Sequence, residues 1–200
     1  MKILEKIARL YPSYAAAVFE KETKGSDYTE SQCMDCPYEH KCCTYAVGVT
    51  PFEVIAIIDY IRKNFPDPKA MFKKIKSRVK TQKKHFRKYK KMEDGAKEWA
   101  KKNIYCVFYN KEKRQCSIYS VRPMNCRYFF SVDDCSTGIG RTITETKPVL
   151  KNRFKWVQSE KLDPSKPFEL CETITIMNKD NNLKINDDFT KIIESFDQDK

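Results

Sequence analysis

Apolar residues recur every three or four positions through most of the first hundred residues, a spacing that predicts amphipathic helices. Ile3, Leu4, Ile7, Leu10, Tyr14 and Val18 mark a first helix over residues 1–20, bent or restarted at Pro12. Thr50-Pro51-Phe52-Glu53 reads as a helix start: threonine caps, proline suits the first turn, and glutamate can reach back to the cap amide. Val54, Ile55, Ile57, Ile58 and Ile61 then carry that helix towards Asn64, ahead of Pro66. Asp67-Pro68 repeats the signal of a cap followed by proline. Beyond it Phe72, Ile75, Val79, Phe86 and Tyr89 trace one apolar stripe, with Gln82 in the remaining slot. A further short helix is expected around Trp99.

The rhythm changes after residue 103. Residues 104–109 and 115–119 read as two strands around a turn at 110–114. If that five-residue loop sets the register, Phe108 stands opposite Cys116. Cys106 then shares a face with Cys116, roughly 7–8 Å away on the diagonal, and a slip of one residue would part them. Residues 141–146 have some strand character, and 186–196 read as a last helix capped by Asp187 or Asp188. Together these elements predict a mainly helical α+β fold. In it a small β-hairpin and cysteine-rich loops pack on several helices around a metal site. Residues 1–200 are expected to form one domain: a cysteine-cluster core at 33–135, an N-terminal helical extension at 1–32 and a C-terminal extension at 136–200.

Charge is unevenly placed. The net charge is +12, yet twelve Lys and Arg and no Asp or Glu lie within residues 69–91. Taking those twelve from 39 leaves 27 basic residues against 27 acidic ones, so one helix carries the whole excess. A solvated outer face on a core-packing helix explains such a stripe, and so does contact with nucleic acid or an anionic surface. Five glycines, and no P-loop or GxGxxG motif, argue against a nucleotide fold built on a glycine loop.

The chemistry lies in nine cysteines. One block is Cys33-x2-Cys36-x5-Cys42-Cys43, and the other is Cys106-x9-Cys116-x9-Cys126-x8-Cys135, with Cys171 apart. The first ten residues carry charges throughout and lack the apolar run of a signal peptide, and no apolar run approaches the ~20 residues that span a bilayer. A cytoplasmic location is therefore expected, where clustered thiols are more often metal or redox sites than disulfides. Cys33-x2-Cys36 has the bite of a zinc or iron–sulfur knuckle. Adjacent side chains such as Cys42 and Cys43 tend to diverge, so one ligates while the other serves a second metal or packs behind it. Of two histidines, His40 lies in the first block and reads first as a surface residue rather than a ligand. Sulfur-rich, histidine-poor ligation suits zinc or iron–sulfur.

The order CxxC…CC, then Val49-Thr50-Pro51-Phe52-Glu53, Tyr105-Cys106-Val107-Phe108, Cys116-Ser117-Ile118-Tyr119 and Arg122-Pro123-x2-Cys126-Arg127, resembles the YkgJ-type cysteine-cluster family, a zinc- or iron-chelating domain of the CxxCxxCC type. The resemblance implies Cys33, Cys36, Cys42, Cys43, Cys106, Cys116 and Cys126 as the chelating set. This chain departs from the family spacing, since five residues separate Cys36 from Cys42. The wider gap is similar to the cysteine motif of flagellin lysine N-methylases, for which an iron–sulfur cluster is the implied cofactor. Arg122 and Arg127 flank Cys126, either lowering thiol pKa values or bonding turn carbonyls. Tyr105, Tyr109, Tyr119 and Tyr128 read as packing residues rather than a substrate cage.

Three functions compete. The first is metal binding with no defined catalytic activity. The second is an iron–sulfur enzyme related to the methylases, for which no glycine-rich cofactor loop is present. The third is a metal-organised nucleic-acid-binding module using the basic helix.

Overall fold

The computed structural model describes residues 3–23, 41–89, 92–128, 157–159, 169–179 and 183–185. Among them the protein is mainly helical with short antiparallel strand pairs, the α+β class expected. Helix α1 (Ile3–Thr23) runs unbroken through a half-exposed Pro12. It buries Ile7, Leu10, Tyr11, Tyr14 and Ala15, whereas Leu4, expected within the stripe, is 38% exposed.

Helix α2 (Pro51–Asn64) is the centre of the molecule. Every residue from Pro51 to Ile58 is buried, and so is Ile61, because other elements cover it on several sides. It packs on α1 and on α6 (Leu170–Met177), and Phe52 meets Tyr11 and Tyr14 edge-on at 5.7 and 6.1 Å. Helix α3 (Pro68–Phe86) starts as predicted, with the Asp67 carboxylate accepting from the Ala70 amide at 2.9 Å. Its buried face is Met71, Ile75, Val79, Gln82 and His85, while Phe72, Phe86 and Tyr89 are half-buried at the edge. Helix α4 (Met92–Ala100) carries the buried Trp99 and lies close to the end of α3. A Cβ at Gly95 would stand 2.7 Å from Phe86, so glycine permits this approach.

The hairpin differs from expectation. Its strands are only β1 (Tyr109–Asn110) and β2 (Gln115–Cys116), with Tyr109, not Phe108, opposite Cys116. The physical reason is the turn. The Asn110 side chain accepts from the Lys113 amide at 3.0 Å and Arg114 takes a left-handed φ of 50°, which closes the loop with four residues. Cys106 is therefore not on a strand; its carbonyl accepts from the Tyr109 amide within a turn. A 3₁₀ turn (Tyr119–Val121) and the short helix α5 (Met124–Tyr128) follow. Strands β3 (Val157–Ser159) and β4 (Leu183–Ile185) pair antiparallel. The strand expected at 141–146 and the helix at 186–196 lie outside the described residues.

Helix α6 has no counterpart in the expectations. Its run Thr173-Ile174-Thr175-Ile176 is β-branched and favours a strand by propensity. Burial of Leu170, Cys171, Ile174 and Met177 on one side against α2 and α3 overrides that preference. Glu169 caps the helix, accepting from the Glu172 amide at 3.0 Å.

One buried carboxylate ties these parts together. Glu53 is 3% exposed, and its Oε2 accepts from the Thr50 amide at 2.5 Å and the Thr50 hydroxyl at 2.6 Å. Its Oε1 accepts from the Met124 amide at 2.7 Å, capping α5 from 71 residues away. The Tyr11 hydroxyl, 3.5 Å from Glu53, donates to the Arg122 carbonyl at 2.8 Å. Glu53→Ala leaves several buried donors unsatisfied and is expected to cost about 3 kcal/mol in urea unfolding, against about 1 kcal/mol for Tyr11→Phe.

Candidate metal centre

Cys42 and Cys43 sit on a 3₁₀ turn (Lys41–Thr44) leading to α2. The two thiols act on each other: Cys43 donating towards Cys42 favours the Cys42 thiolate and holds the Cys43 proton. The Cys43 carbonyl accepts from the Cys106 amide at 2.6 Å, a direct stitch between the two cysteine blocks. Further bonds fix the same seam: Asn125 Nδ2 donates to the Gly48 carbonyl at 2.6 Å, and the Leu170 amide to the Val47 carbonyl at 2.9 Å.

Two cations of α3 hold the Cys106 turn from the other side. Lys74 Nζ donates to the Val107 carbonyl at 3.0 Å. The Arg78 guanidinium donates to the carbonyls of Ile104 and Tyr105, with its carbon 5.6 Å from the centre of the Trp99 ring. Sequence reading missed both residues as part of the site. The available signal was positional: Lys74 and Arg78 fall on the helix arc that carries Met71, Ile75 and Gln82, where a purely solvated cation has no reason to be.

Cys116 ends β2, and Cys126 lies on α5, whose first amide Glu53 caps. The two flanking arginines divide the roles considered for them. Arg127, 3% exposed, donates to the Ser120 carbonyl at 2.9 Å and shapes the turn. Arg122, also 3% exposed, lies over the Tyr119 ring at 4.1 Å, and its charge favours the thiolates of Cys42 and Cys126. Tyr105 and Tyr109 stack at 4.6 Å, so three of the four tyrosines pack as expected; the Tyr128 side chain is outside the described set.

The five thiols act on one another electrostatically. Burial raises Cys126 well above the ordinary thiol range, and the charges of Cys106, Cys116 and Cys42 push it the same way. Donation to Cys42, then burial, then the charges of Cys42, Cys106 and Cys126 raise Cys43. Burial raises Cys106, which Arg78 and Lys74 partly offset. Cys42 alone is lowered, chiefly because it accepts from Cys43 and also because Arg122 is near. Such a group resists multiple ionisation without a cation among the sulfurs, and its soft donors suit zinc or iron.

Cys171 forms a sixth member at the margin. It is buried on α6, raised by desolvation and then by the charges of Glu169 and Cys106. With Arg78, Gln82, Trp99, Cys106 and Glu169 it lines a cavity of about 20 Å³, room for about one water. Gln82 Nε2 donates to Glu169 Oε1 at 3.0 Å, so the polar residue in the α3 stripe has its partner at the α6 cap. His85 is buried too, its Nε2 lying 2.8 Å from the Gly95 carbonyl and remote in role from the thiols. Cys33, Cys36, His40 and Cys135 lie outside the described residues. Among the described residues, no three His, Cys, Asp or Glu side chains are grouped closely enough to grip one ion.

Half-buried thiols drawn from separated segments mark this as a cysteine-cluster domain. The CxxCxxCC family model, described as a putative zinc- or iron-chelating domain, matches residues 32–160, and the chain belongs to this family. No curated protein and no solved structure matches it. Among the described residues no helix is long and apolar enough to cross a membrane.

The thiol shifts set a pH dependence for metal-free protein. Cys43, Cys106, Cys126 and Cys171 hold their protons more tightly folded than unfolded. The stability they lend is full below the unfolded thiol pKa of about 8.5 and is lost as pH rises through the higher folded values. Cys42 opposes this, one group against four. The urea midpoint of the metal-free, reduced protein is expected to fall steadily between about pH 8 and pH 10.

Proposed function

We propose that this chain chelates zinc or iron, the latter as an iron–sulfur cluster, through thiolates drawn from Cys33, Cys36, Cys42, Cys43, Cys106, Cys116 and Cys126, and that holding the metal is its activity. The observation that carries this reading is the mutual influence of Cys42, Cys43, Cys106, Cys116 and Cys126, contributed by a 3₁₀ turn, the Cys106 turn, β2 and α5. Membership of a family described as zinc- or iron-chelating supports it. Cys33-x2-Cys36, immediately upstream in the sequence, has the spacing of a zinc or iron–sulfur knuckle and brings the set to seven.

Around that set the chain places fixed cations: Arg122 towards Cys42 and Cys126, and Lys74 and Arg78 towards Cys106. They favour deprotonated ligands and offset the negative charge of a thiolate-rich centre. A bound ion would supply the remaining positive charge and link the two cysteine blocks.

Metal analysis of protein purified without oxygen tests the reading. A colourless sample with stoichiometric zinc, or a brown one absorbing near ~400 nm with iron and sulfide, supports it and distinguishes the two metals. Cys106→Ser and Cys126→Ser should each remove at least about half of the bound metal, and chelation should lower the melting temperature by about 10 °C. Protein that carries no metal, and whose melting temperature does not respond to added zinc or iron, would sink it.

A further inference from the structure

The basic helix α3 has two differently used faces. Lys74 and Arg78 turn inward to the Cys106 turn, and Lys83 pairs with Glu172 at 2.6 Å. Lys69, Lys73, Lys76, Lys80, Lys84 and Arg87 are all exposed. Their spacings of four, three, four, four and three residues keep them on one arc of about 80°, opposite the buried stripe. Among the described residues no ion pair engages any of the six. They form a straight line of positive charge about 27 Å long, with one cation roughly every 5 Å.

We propose that this line is a docking surface for the phosphate backbone of double-stranded nucleic acid, read without regard to sequence. The length matches about eight base pairs of duplex, whose charge density rewards a row of cations through counterion release. Five of the six groups are lysines, point charges suited to phosphates rather than to bidentate reading of bases. Two observations set aside other polyanions. Among the described residues Leu4 is the one large hydrophobic side chain that is exposed. The aromatic residues beside the stripe, Phe72, Phe86 and Tyr89, are half-buried against the core rather than open as the stacking platform that single strands use. The apolar side of α3 is committed to the core and cannot enter a bilayer as an interfacial helix does. The surface lies on the far side of α3 from the Cys106 turn, so the inference stands apart from the metal reading.

The test is fluorescence anisotropy of a random-sequence duplex of about 20 base pairs with the full chain, at rising KCl. The plot of log affinity against log salt should fall with a slope of about −3 to −5. Changing Lys73, Lys76, Lys80 and Lys84 together to Gln should weaken binding at least about ten-fold. The same charge loss at Lys101, Lys102, Lys111 and Lys113 should cost less than about two-fold. Circular dichroism and metal content, unchanged in both variants, separate a binding defect from misfolding or loss of the thiol centre. Equal losses in the two variants, or a flat salt dependence, would overturn the proposal. So would tighter binding to phosphatidylserine vesicles or to an acidic polypeptide than to the duplex, either of which reassigns the stripe to that partner.

Discussion

A single carboxylate buried where three chain segments meet is the constraint on which the arrangement of this protein rests. Glu53 satisfies the start of α2 and the start of α5 at once, and Tyr11 of α1 closes over it to reach the Arg122 carbonyl. A carboxyl group so deep is tolerable only because backbone amides and hydroxyls satisfy it. The arrangement has a positional result. Cys42 and Cys43 lie just before Thr50, and Cys126 lies two residues after Met124, so one acceptor group sets the distance between the two cysteine blocks.

The second layer of organisation comes from α3. A lysine-rich helix suggests solvent, and most of its cations do face it. Lys74 and Arg78 instead spend their donors on carbonyls of the Cys106 turn, which has too little regular structure to satisfy itself. The same two charges favour ionisation of the thiol they surround. A helix that looks uniform in composition therefore has two separate sides, one structural and electrostatic, the other turned to solvent.

Local signals were readable and long-range ones were not. Thr50-Pro51-x-Glu53 and Asp67-Pro68 announced α2 and α3 because capping is settled within one turn of chain. The hairpin was legible as a hairpin, but its register depended on a side-chain bond from Asn110 and the left-handed Arg114, and the expected pairing was off by one. Helix α6 was hidden because its β-branched run owes its helicity to burial against α2 and α3, which no local window contains. For the site, the cysteines were named by type and spacing. The roles of Lys74, Arg78 and Gln82 arise from contacts 26 to 87 residues apart. Gln82 and the inward cations were nonetheless visible as polar residues in an apolar arc.

The hydrogen bond from Cys106 to the Cys43 carbonyl also bears on the order in which the chain assembles. It closes a loop of some sixty residues, at an entropic cost of about 4 kcal/mol for an unstructured chain. Helices α2, α3 and α4 lie wholly inside that loop and carry their own caps and local contacts. Once formed, they shorten the effective span and bring its ends near each other. Contact order therefore favours a sequence in which these helices form first and the Cys43–Cys106 contact closes over them, a latch on elements already in place rather than the nucleus around which they gather.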